Sequence, residues 1–276
     1  MTATPRYAVF GHPVAHSLSP RLHAVFAEQT GIALEYVAVD AAPDGFVHAV
    51  RGFFAGGGCG ANVTLPHKAA AFALAEVPTP LAQRLRVANV LTRLPDGRLE
   101  AGSNDGAGML ADLRRRCAFE PRGREVLLVG AGGAARAAAL ALLDAGVRRL
   151  TIANRTFKRA QALADGLTGP VRVVRWEALD RLEACDLVVN ATSAGVLHAA
   201  FALPASLASV HTTAYDLSYG PAAQPFLQWA RDADCLAAFD GIGMLVETAA
   251  ASFERWHGVR PDTDAALRAL SAGNRP

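Results

Sequence analysis

Three short stretches in the first 106 residues are more polar than the sequence around them. Residues 16–20 read His-Ser-Leu-Ser-Pro, residues 62–68 read Asn-Val-Thr-Leu-Pro-His-Lys, and residues 103–106 read Ser-Asn-Asp-Gly. Hydroxyl, amide and carboxylate groups of this kind can bind a small polar molecule, and a lysine beside them can transfer a proton. These stretches are therefore the first candidates for a site that performs chemistry.

Lysine is rare in this chain. Of the 27 basic residues only Lys68 and Lys158 are lysine, and the other 25 are arginine. Arginine stays protonated near neutral pH, whereas lysine can be tuned to release its proton. A site that exchanges a proton would keep its lysine, which favours Lys68 as a functional residue, although two lysines can also survive by chance.

A second candidate site begins at residue 130. The sequence Gly130-Ala131-Gly132-Gly133-Ala134-Ala135 follows the apolar run at residues 125–129 and opens an alanine-rich stretch that predicts a helix. Glycines of this kind allow a tight turn and let a pyrophosphate approach the backbone at a helix N-terminus. Because strand, loop, helix and second strand follow in order, the pattern predicts a dinucleotide site rather than a tight turn of small residues.

The end of the next predicted strand indicates which dinucleotide binds. NAD enzymes place an acidic residue there for the ribose hydroxyls, but this chain has Asn154-Arg155-Thr156, followed by Lys158 and Arg159. A guanidinium can bind the extra phosphate of NADP through two hydrogen bonds, and a carboxylate would repel it. NADP is therefore the predicted cofactor, and solvated helix charge is the alternative interpretation.

The elements that position these residues alternate between short β-branched runs and alanine- and leucine-rich helices, which predicts a parallel α/β architecture. Strands are expected at residues 7–10, 34–39, 60–63, 125–129, 150–153, 171–174, 186–190 and 213–216. Helices are expected from Pro20, at residues 44–55, from Pro66, at residues 132–145 and at residues 156–167. Ligands of parallel sheets lie beyond the carboxyl ends of strands, so the three polar stretches are predicted to converge. Capping of a helix is an equally good interpretation of Ser19 and Asp105.

Composition excludes several classes of protein. A net charge of +2 without a basic stripe gives no reason to expect nucleic acid, and no segment is apolar enough for a membrane span or a signal peptide. The four cysteines form no Cys-x-x-Cys pair, which favours buried free thiols in a reducing cytoplasm. His12, His16 and His67 match no zinc spacing, so no metal is expected.

Nine motifs along roughly residues 6–260 resemble those of the shikimate dehydrogenase family, and they occur in the same order. They are Ser17-Leu18-Ser19, Asn62-Val63-Thr64-x-Pro-x-Lys68, Asn89, Asp105-Gly106, Gly130-Ala-Gly-Gly-Ala134, Asn154-Arg155-Thr156, Asn190-Ala-Thr-Ser193, Asp216-x-x-Tyr219-x-Pro221 and Gly241-x-Gly-Met-Leu245.

The resemblance implies a role for each matching residue. Lys68 corresponds to the catalytic lysine and Asp105 to its aspartate partner. The predicted substrate contacts are Ser17, Ser19, Thr64, Asn89, Tyr219 and Thr248. The predicted cofactor contacts are Gly130, Ala131, Gly132, Gly133, Ala134, Asn154, Arg155, Thr156, Arg159, Thr192, Leu217 and Gly241.

The sequence departs from the family pattern at three places. Residues 103–104 read Ser-Asn where the family has Asn-Thr, Val90 stands in place of a threonine, and Thr248 stands in place of a substrate-binding glutamine. A shorter side chain at residue 248 would lose one hydrogen bond to the substrate, worth roughly 0.5–1.5 kcal/mol.

The resemblance implies an NADP-dependent oxidoreductase that reduces 3-dehydroshikimate to shikimate in the route to aromatic amino acids. Residues 1–104 with 244–276 are expected to form an α/β substrate-binding domain, and residues 105–243 a Rossmann-like NADP domain with a parallel sheet. A paralogue that acts on quinate or an aminated shikimate is the nearest alternative, and a non-catalytic sensor of NADPH or shikimate is another. Either a monomer or a homodimer is compatible with the sequence.

Overall fold

The computed structural model describes residues 4–193, 195 and 202–272. The chain divides into two compact units, Met1–Asp105 with Leu245–Pro276 and Gly106–Met244. Each unit has its own six-stranded sheet. Among the described residues, no helix combines the length and the apolar character needed to cross a membrane.

The first unit contains strands β1 to β6 and most of the N-terminal helices. Its elements are β1 Arg6–Gly11, α1 Ser19–Thr30, β2 Glu35–Asp40, α2 Phe46–Ala55, β3 Gly58–Val63, α3 Lys68–Leu74, β4 Val77–Pro78, α4 Pro80–Leu85, β5 Val90–Arg93 and β6 Leu99–Gly102. Helices α9 (Ile242–His257) and α10 (Thr263–Ala272) return to it near the C-terminus.

The sheet of the first unit is mixed, which corrects the expectation of parallel strands throughout. Its order is β2-β1-β3-β5-β6-β4, and β5 runs antiparallel to both β3 and β6. The reason is a hairpin. The turn at residues 94–98 closes through hydrogen bonds from the Leu94 amide to the Arg98 carbonyl and from the Gly97 amide to the Leu94 carbonyl, and Gly97 takes a φ of +87°. The Pro-Asp-Gly sequence of this turn is typical of such a reversal.

Helix α3 starts two residues later than predicted. The amide of His67 donates to the carbonyl of Thr64, so residues 64–67 form a turn, and Lys68 becomes the first helical residue. Pro66 therefore lies within the turn and not at the first helical position. This turn leads directly from the end of β3 to the lysine.

The second unit is a parallel sheet covered by helices. Its elements are α5 Asp105–Arg115, β7 Glu125–Val129, α6 Gly133–Asp144, β8 Arg149–Ala153, α7 Phe157–Ala164, β9 Val171–Val174, β10 Leu187–Asn190, β11 Thr213–Asp216, α8 Gln224–Asp232 and β12 Ala237–Phe239. The strand order is β12-β11-β10-β7-β8-β9, and all five pairings are parallel. This is the doubly wound arrangement that the sequence predicts for residues 105–243.

Each unit has its own apolar core. In the first unit Phe10, Phe46, Val50 and Leu91 are almost completely buried together. In the second unit two clusters cover the two faces of the sheet, one around Leu128 and Ile152 and the other around Leu127 and Phe226. The four cysteines are free thiols, as the sequence predicts, but they are half-buried and not buried.

Candidate active site

The strand directions of the first unit bring three separated segments to one edge of its sheet. Strands β1, β3 and β6 point the same way, so their carboxyl ends share that edge. Since β5 runs in the opposite direction between β3 and β6, its first residues also lie there. The amide of Val63 donates to the carbonyl of Asn89, and the amide of Asn89 donates to the carbonyl of Gly102. Asn89 is thus fixed between the ends of β3 and β6.

Lys68 and Asp105 form an ion pair at this edge. The lysine Nζ donates to Oδ2 of Asp105, and both side chains are largely buried, 14% and 9% exposed. Lys68 begins α3 and Asp105 begins α5, so each follows the end of a strand by a few residues. The predicted partnership of these two residues is present in the structure.

Asn89 completes the group around the ion pair. Its Nδ2 donates to Oδ1 of Asp105 at 2.9 Å and to Oδ1 of Asn104 at 2.6 Å. Its own Oδ1 accepts from the backbone amide of Asn104 at 2.9 Å. Both amide hydrogens are therefore used inside the protein, and only a lone pair of Oδ1 remains for a bound molecule. Asp105 accepts from side chains at both oxygens, so its carboxylate serves this group of residues and not the cap of a helix.

The two serines lie together after β1. Ser17 Oγ donates to Ser19 Oγ over 3.2 Å and accepts from the amide of Ser19 over 3.3 Å. The N-cap of α1 is Leu18 without a side-chain cap, so the capping interpretation of Ser19 is wrong. Thr64 lies at the end of the neighbouring strand, where its amide donates to the carbonyl of Phe10. Gly11 permits this approach, since a Cβ there would stand 2.5 Å from Cγ2 of Thr64.

Thr248 lies on α9 with an unusual hydroxyl. The residue is 9% exposed, and among the described residues its Oγ1 is buried without a hydrogen-bond partner. Its backbone carbonyl instead accepts from Nδ2 of Asn104 at 3.0 Å. Val90, the other departure in this unit, is a buried residue of β5 that pairs with Asn62.

The histidines of this region make contacts that do not require a metal. His12 Nδ1 lies 2.6 Å from one carboxylate oxygen of Asp40, and the Val14 amide donates to the other. These two hydrogen bonds lower the pKa of Asp40, and the one to His12 contributes most. His67 Nε2 bonds to the carbonyl of Ala41 at 2.7 Å, and its ring stacks on Phe46. In the parts of the chain that the structure describes, no group of three or more His, Cys, Asp or Glu side chains could hold a metal ion.

The glycine loop of the second unit joins β7 to α6. Gly130 takes a φ of +121°, and a Cβ there would stand 2.7 Å from the carbonyl oxygen of Ala191. Gly132 is the N-cap of α6, and no atom lies within 4 Å of the place where its Cβ would be. A loop of this shape leaves the first amides of a helix open to an anion such as a pyrophosphate. Ala131, Gly133 and Ala134 continue the loop into the helix.

The segment after β8 carries the cations. Asn154 Nδ2 donates to the carbonyl of Thr156 at 3.0 Å, and Thr156 is the N-cap of α7. Arg155 and Arg159 are exposed on either side of this turn. With no acidic residue between 154 and 159, the segment suits a phosphate on the adenosine ribose.

The remaining predicted cofactor residues follow the carboxyl ends of β10, β11 and β12. Thr192 donates to Oδ1 of Asn190 through both its amide and its hydroxyl, and the amide of Leu217 donates to the carbonyl of Asn190. A Cβ on Gly241 would stand 2.4 Å from the carbonyl oxygen of Leu217, so only glycine fits there. Tyr219 is half-buried and lies before the short turn at residues 220–223.

Burial strongly perturbs one acid in this cluster. Asp216 is fully buried at the end of β11, which raises the pKa of its carboxyl to about 7 against the hydrogen bonds from Ser218 and Asn190. The nearby charge of Asp240 raises the pKa of Asp216 further. Asp216 belongs to one of the motifs found in the sequence, but no site role was predicted for it.

Sequence reasoning missed three residues that hold the first-unit site together. Asn104 and Asn62 lie within polar stretches found in the sequence, and Ser252 lies four residues after Thr248 on α9, but no role was predicted for any of them. The i, i+4 spacing places Ser252 and Thr248 on one helix face, and this was the available signal.

A buried lysine–aspartate pair in one unit and a glycine loop on a doubly wound sheet in the other are typical of a nucleotide-dependent oxidoreductase. Family models match most of the chain, as "Shikimate dehydrogenase substrate binding domain" over residues 9–91, "Shikimate / quinate 5-dehydrogenase" over residues 113–199 and "Shikimate 5'-dehydrogenase C-terminal domain" over residues 241–270. The chain belongs to the shikimate dehydrogenase family.

Individual relatives agree with this membership. Shikimate dehydrogenase (NADP(+)) of Xanthomonas campestris pv. campestris is 54% identical, covering 97% of this chain and 95% of the relative. The crystal structure of an Ael1 enzyme from Pseudomonas putida is similar with a TM-score of 0.87 at 43% identity, covering 97% and 98% of the two chains. Shikimate 5-dehydrogenase from Thermus thermophilus, in complex with NADP(H) and shikimate, has a TM-score of 0.85 at 34% identity over 98% and 99%.

Proposed function

We propose that this enzyme reduces 3-dehydroshikimate to shikimate with NADPH, and that Lys68 and Asp105 perform the proton transfer. The observation that carries this assignment is the buried contact between the two side chains, with Asn89 bonded to the second carboxylate oxygen. A proposed location in the cytoplasm would keep the unpaired cysteines reduced. Either a monomer or a homodimer suits this activity.

The residues present fit a bound NADP. The open space beside Gly132 and the free N-terminus of α6 suit a pyrophosphate, and Arg155 and Arg159 suit the ribose phosphate. NADPH, when bound, supplies the hydride that converts the ketone to an alcohol. We assign residues 105–243 to this cofactor and residues 1–104 with 244–276 to the substrate.

The chain's own residues then handle the proton. The ammonium group of Lys68 stabilises the negative charge that develops on the carbonyl oxygen and donates a proton to it. Asp105 holds Lys68 in position through Oδ2 and receives the Asn89 amide at Oδ1. In the reverse direction Lys68 accepts the hydroxyl proton.

The first unit offers further polar groups for a substrate at the sheet edge that carries this pair. The Ser19 hydroxyl can donate to a carboxylate, the Ser17 hydroxyl can do so when it turns away from Ser19, and Thr64 offers a further hydroxyl. Tyr219 of the second unit is the remaining proposed hydroxyl. Since both Asn89 hydrogens are used internally, Asn89 would accept from a ring hydroxyl through Oδ1. The Thr248 hydroxyl has no partner among the described residues but is buried, so it would reach the substrate through a change of side-chain rotamer.

A steady-state assay with shikimate and quinate, each with NADP and NAD, tests the assignment. Shikimate with NADP should give the highest kcat/KM. Quinate carries an extra hydroxyl beside its carboxylate, which would lie close to the two serine hydroxyls if these bind the carboxylate. A preference for quinate would overturn the shikimate assignment and favour a paralogue that acts on quinate. The feature that suggests this alternative is Thr248, which stands where the family has a glutamine.

Substitution of Lys68 tests the mechanism. Lys68→Ala should lower kcat by roughly 10²–10⁴ and change substrate affinity much less. Lys68→Arg is the matched variant, because it keeps the charge beside Asp105 but holds its proton, and it should also be slow. A Lys68→Ala enzyme that retains most of its kcat would remove Lys68 from the mechanism, and a parent protein without turnover would favour the sensor.

A further inference from the structure

A chain of hydrogen-bonded polar side chains, some buried and some half-buried, connects Asn89 to helix α9. Asn104 stands at its centre, where Oδ1 accepts from Nδ2 of Asn89 at 2.6 Å and the backbone amide donates to Oδ1 of Asn89 at 2.9 Å. On its other side, Nδ2 of Asn104 donates to the Thr248 carbonyl and to Ser252 Oγ, both at 3.0 Å. Asn104 therefore links the active-site asparagine to one turn of α9.

Ser252 is saturated with hydrogen bonds. It is completely buried, its hydroxyl donates to the Thr248 carbonyl at 3.1 Å, and it accepts from Asn104 and from Nδ2 of Asn62 at 2.8 Å. Asn62 in turn accepts from the hydroxyl of Tyr36 at 2.7 Å. Such a network is rigid because the loss of any member leaves a buried polar group without a partner.

The two ends of the chain determine which way each amide points. The Thr248 carbonyl can only accept, so Asn104 must turn its Nδ2 toward it and its Oδ1 toward Asn89. The carboxylate of Asp105 also accepts, so Asn89 must turn its Nδ2 toward both Asp105 and Asn104. In Asn104→Ala the amide of Asn89 keeps the Asp105 carboxylate and the backbone amide of residue 104 but loses one of its two acceptors, so one Nδ2 hydrogen has no partner and the amide is held less firmly beside Asp105.

We propose that Asn104, held by Ser252 and the Thr248 carbonyl, is a positioning residue that fixes the orientation of Asn89 beside Asp105. This inference rests on the proposed function of Lys68 and Asp105. It gives Asn104 and Ser252 an effect on turnover although neither side chain contacts the ion pair. Asn104, one of the two residues at positions 103–104 that differ from the family pattern, thus has a role in this site.

A double-mutant cycle between Asn104 and Asn89 tests the proposal. Asn104→Ala should lower kcat/KM about tenfold, and Asn89→Ala should lower it at least as much. If Asn104 acts through Asn89, the double variant should be no slower than Asn89→Ala alone. Losses that multiply in the double variant, or an Asn104→Ala enzyme with the parent kcat/KM, would overturn the proposal.

Two further variants separate positioning from general destabilisation. Ser252→Ala should give a smaller loss of kcat/KM, about threefold, because the Thr248 carbonyl still holds Asn104, and that loss should also vanish in the Asn89→Ala background. This variant replaces Asn104→Ala in the cycle if the latter does not fold. Thr79→Ala removes the cap of α4, whose Oγ1 accepts from the Ala82 amide, and should lower the melting temperature without changing kcat/KM.

The double-mutant cycle and the Lys68 variants test different claims, so one claim can be refuted while the other stands. A Lys68→Ala enzyme that keeps its kcat would refute the proposed mechanism, yet the ratio of rates in the cycle would still report whether Asn104 and Asn89 are coupled. Conversely, a slow Lys68→Ala enzyme with multiplying losses in the cycle would leave the mechanism intact and refute the positioning role.

Discussion

The amide nitrogen of Asn89 uses both of its hydrogens inside the protein, on Asp105 and Asn104. Thr248 is the opposite case, because its hydroxyl is buried and has no partner among the described residues. A buried hydroxyl without a hydrogen bond costs about 1–3 kcal/mol, and function is one reason for a protein to retain it. A substitution at Thr248 is therefore expected to change substrate binding without lowering the free energy of unfolding.

Thr248→Val should leave the free energy of unfolding unchanged or raise it, because it removes a buried polar atom and keeps the shape. If the hydroxyl binds the substrate, the KM for shikimate should rise several-fold, for a hydrogen bond of roughly 0.5–1.5 kcal/mol. Urea unfolding and steady-state kinetics measure the two effects. Thr248→Gln should lower KM by a similar factor, since glutamine reaches further and offers a donor and an acceptor.

Thr212 supplies the matched control for this prediction. It is also buried, but its hydroxyl donates to the Cys185 carbonyl at 2.6 Å and accepts from the Ser209 amide at 2.9 Å. Thr212→Val should cost about 1–3 kcal/mol of stability and leave KM unchanged. Equal losses of stability at residues 212 and 248 would show that the Thr248 hydroxyl has a partner within the fold.

Cofactor choice is expected to depend on Arg155. Arg155→Ala should raise the KM for NADP roughly 10–100-fold and change the KM for NAD little, because a charge-assisted hydrogen bond to the phosphate is worth about 1.5–3 kcal/mol. Arg148 is the control, as it is exposed at the opposite end of β8, where it pairs with Glu125 at 3.2 Å. Arg148→Ala should leave both KM values as they are, and equal efficiency of the parent with NADP and NAD would refute the cofactor assignment.

Among the secondary-structure elements, the reversed strand β5 shapes the first unit and the β7–α6 loop shapes the second. By running against β3 and β6, β5 brings its N-terminal neighbour Asn89 to the edge where the other strands end. In the loop after β7, two glycines of one motif have different surroundings. Gly130 is crowded by the backbone of Ala191, whereas Gly132 faces open space.

Alanine substitutions at these two glycines should therefore have different effects. Gly130→Ala should destabilise the fold, because its φ of +121° and the 2.7 Å contact with Ala191 leave no room for a Cβ. Gly132→Ala should fold normally but weaken NADP binding on the order of tenfold, because its methyl group would occupy the approach of the pyrophosphate. Melting curves and calorimetric titration with NADP distinguish the two. Normal NADP affinity in Gly132→Ala would place the pyrophosphate elsewhere.

At the scale of the whole chain, each unit contains a buried titratable group, and the two groups change the stability with pH in opposite directions. In the first unit His23 is completely buried and stacks on Tyr36 at 4.0 Å. Burial lowers the pKa of His23 to about 3, and the charge of His257 adds to this effect. Asn62 lies near the ring, but its amide donates to Asn89 and Ser252, so both ring nitrogens lack a partner among the described residues. In the second unit the pKa of Asp216 is raised to about 7.

The sign of each contribution follows from proton binding. Between pH 6.5 and about 3 the unfolded chain protonates His23 and the folded chain does not, so stability falls as the pH falls. Between pH 3.8 and about 7 the folded chain keeps the Asp216 proton and the unfolded chain releases it, so stability falls as the pH rises. Each slope approaches about 1.4 kcal/mol per pH unit, and over the shared window they oppose one another.

Single substitutions should expose these slopes in urea unfolding measured from pH 4 to 6.5. Relative to the parent, the unfolding free energy of His23→Phe should fall more steeply as the pH rises, and that of Asp216→Asn should rise with pH. His48→Phe, on the exposed part of α2, controls for the exchange of a histidine for a phenylalanine. An unchanged slope in His23→Phe would mean that the buried ring takes up a proton as readily as the unfolded chain.

Much of the second unit could be predicted because its signals are local. The strand at residues 125–129, the glycine loop and the cationic turn at residues 154–159 each lie within a few neighbouring residues, and strands β7, β9 and β11 have the predicted bounds. Local sterics and hydrophobic runs determine such features directly. The first unit was predicted less completely, because short strands such as β4, β5 and β6 carry little periodic signal.

The sequence alone identified the residues to which we assign the chemistry, since a rare lysine, an aspartate at a helix start and a glycine loop are recognisable by type and spacing. Only the tertiary structure decided how they are held, because strand direction and hydrogen-bond partners depend on groups far apart in the chain. Asn104 and Ser252 are separated by 148 residues, yet a hydrogen bond joins their side chains. The same long-range packing left the Thr248 hydroxyl and the buried ring of His23 without a hydrogen-bond partner in the part of the chain that the structure describes, and no local pattern encodes either outcome.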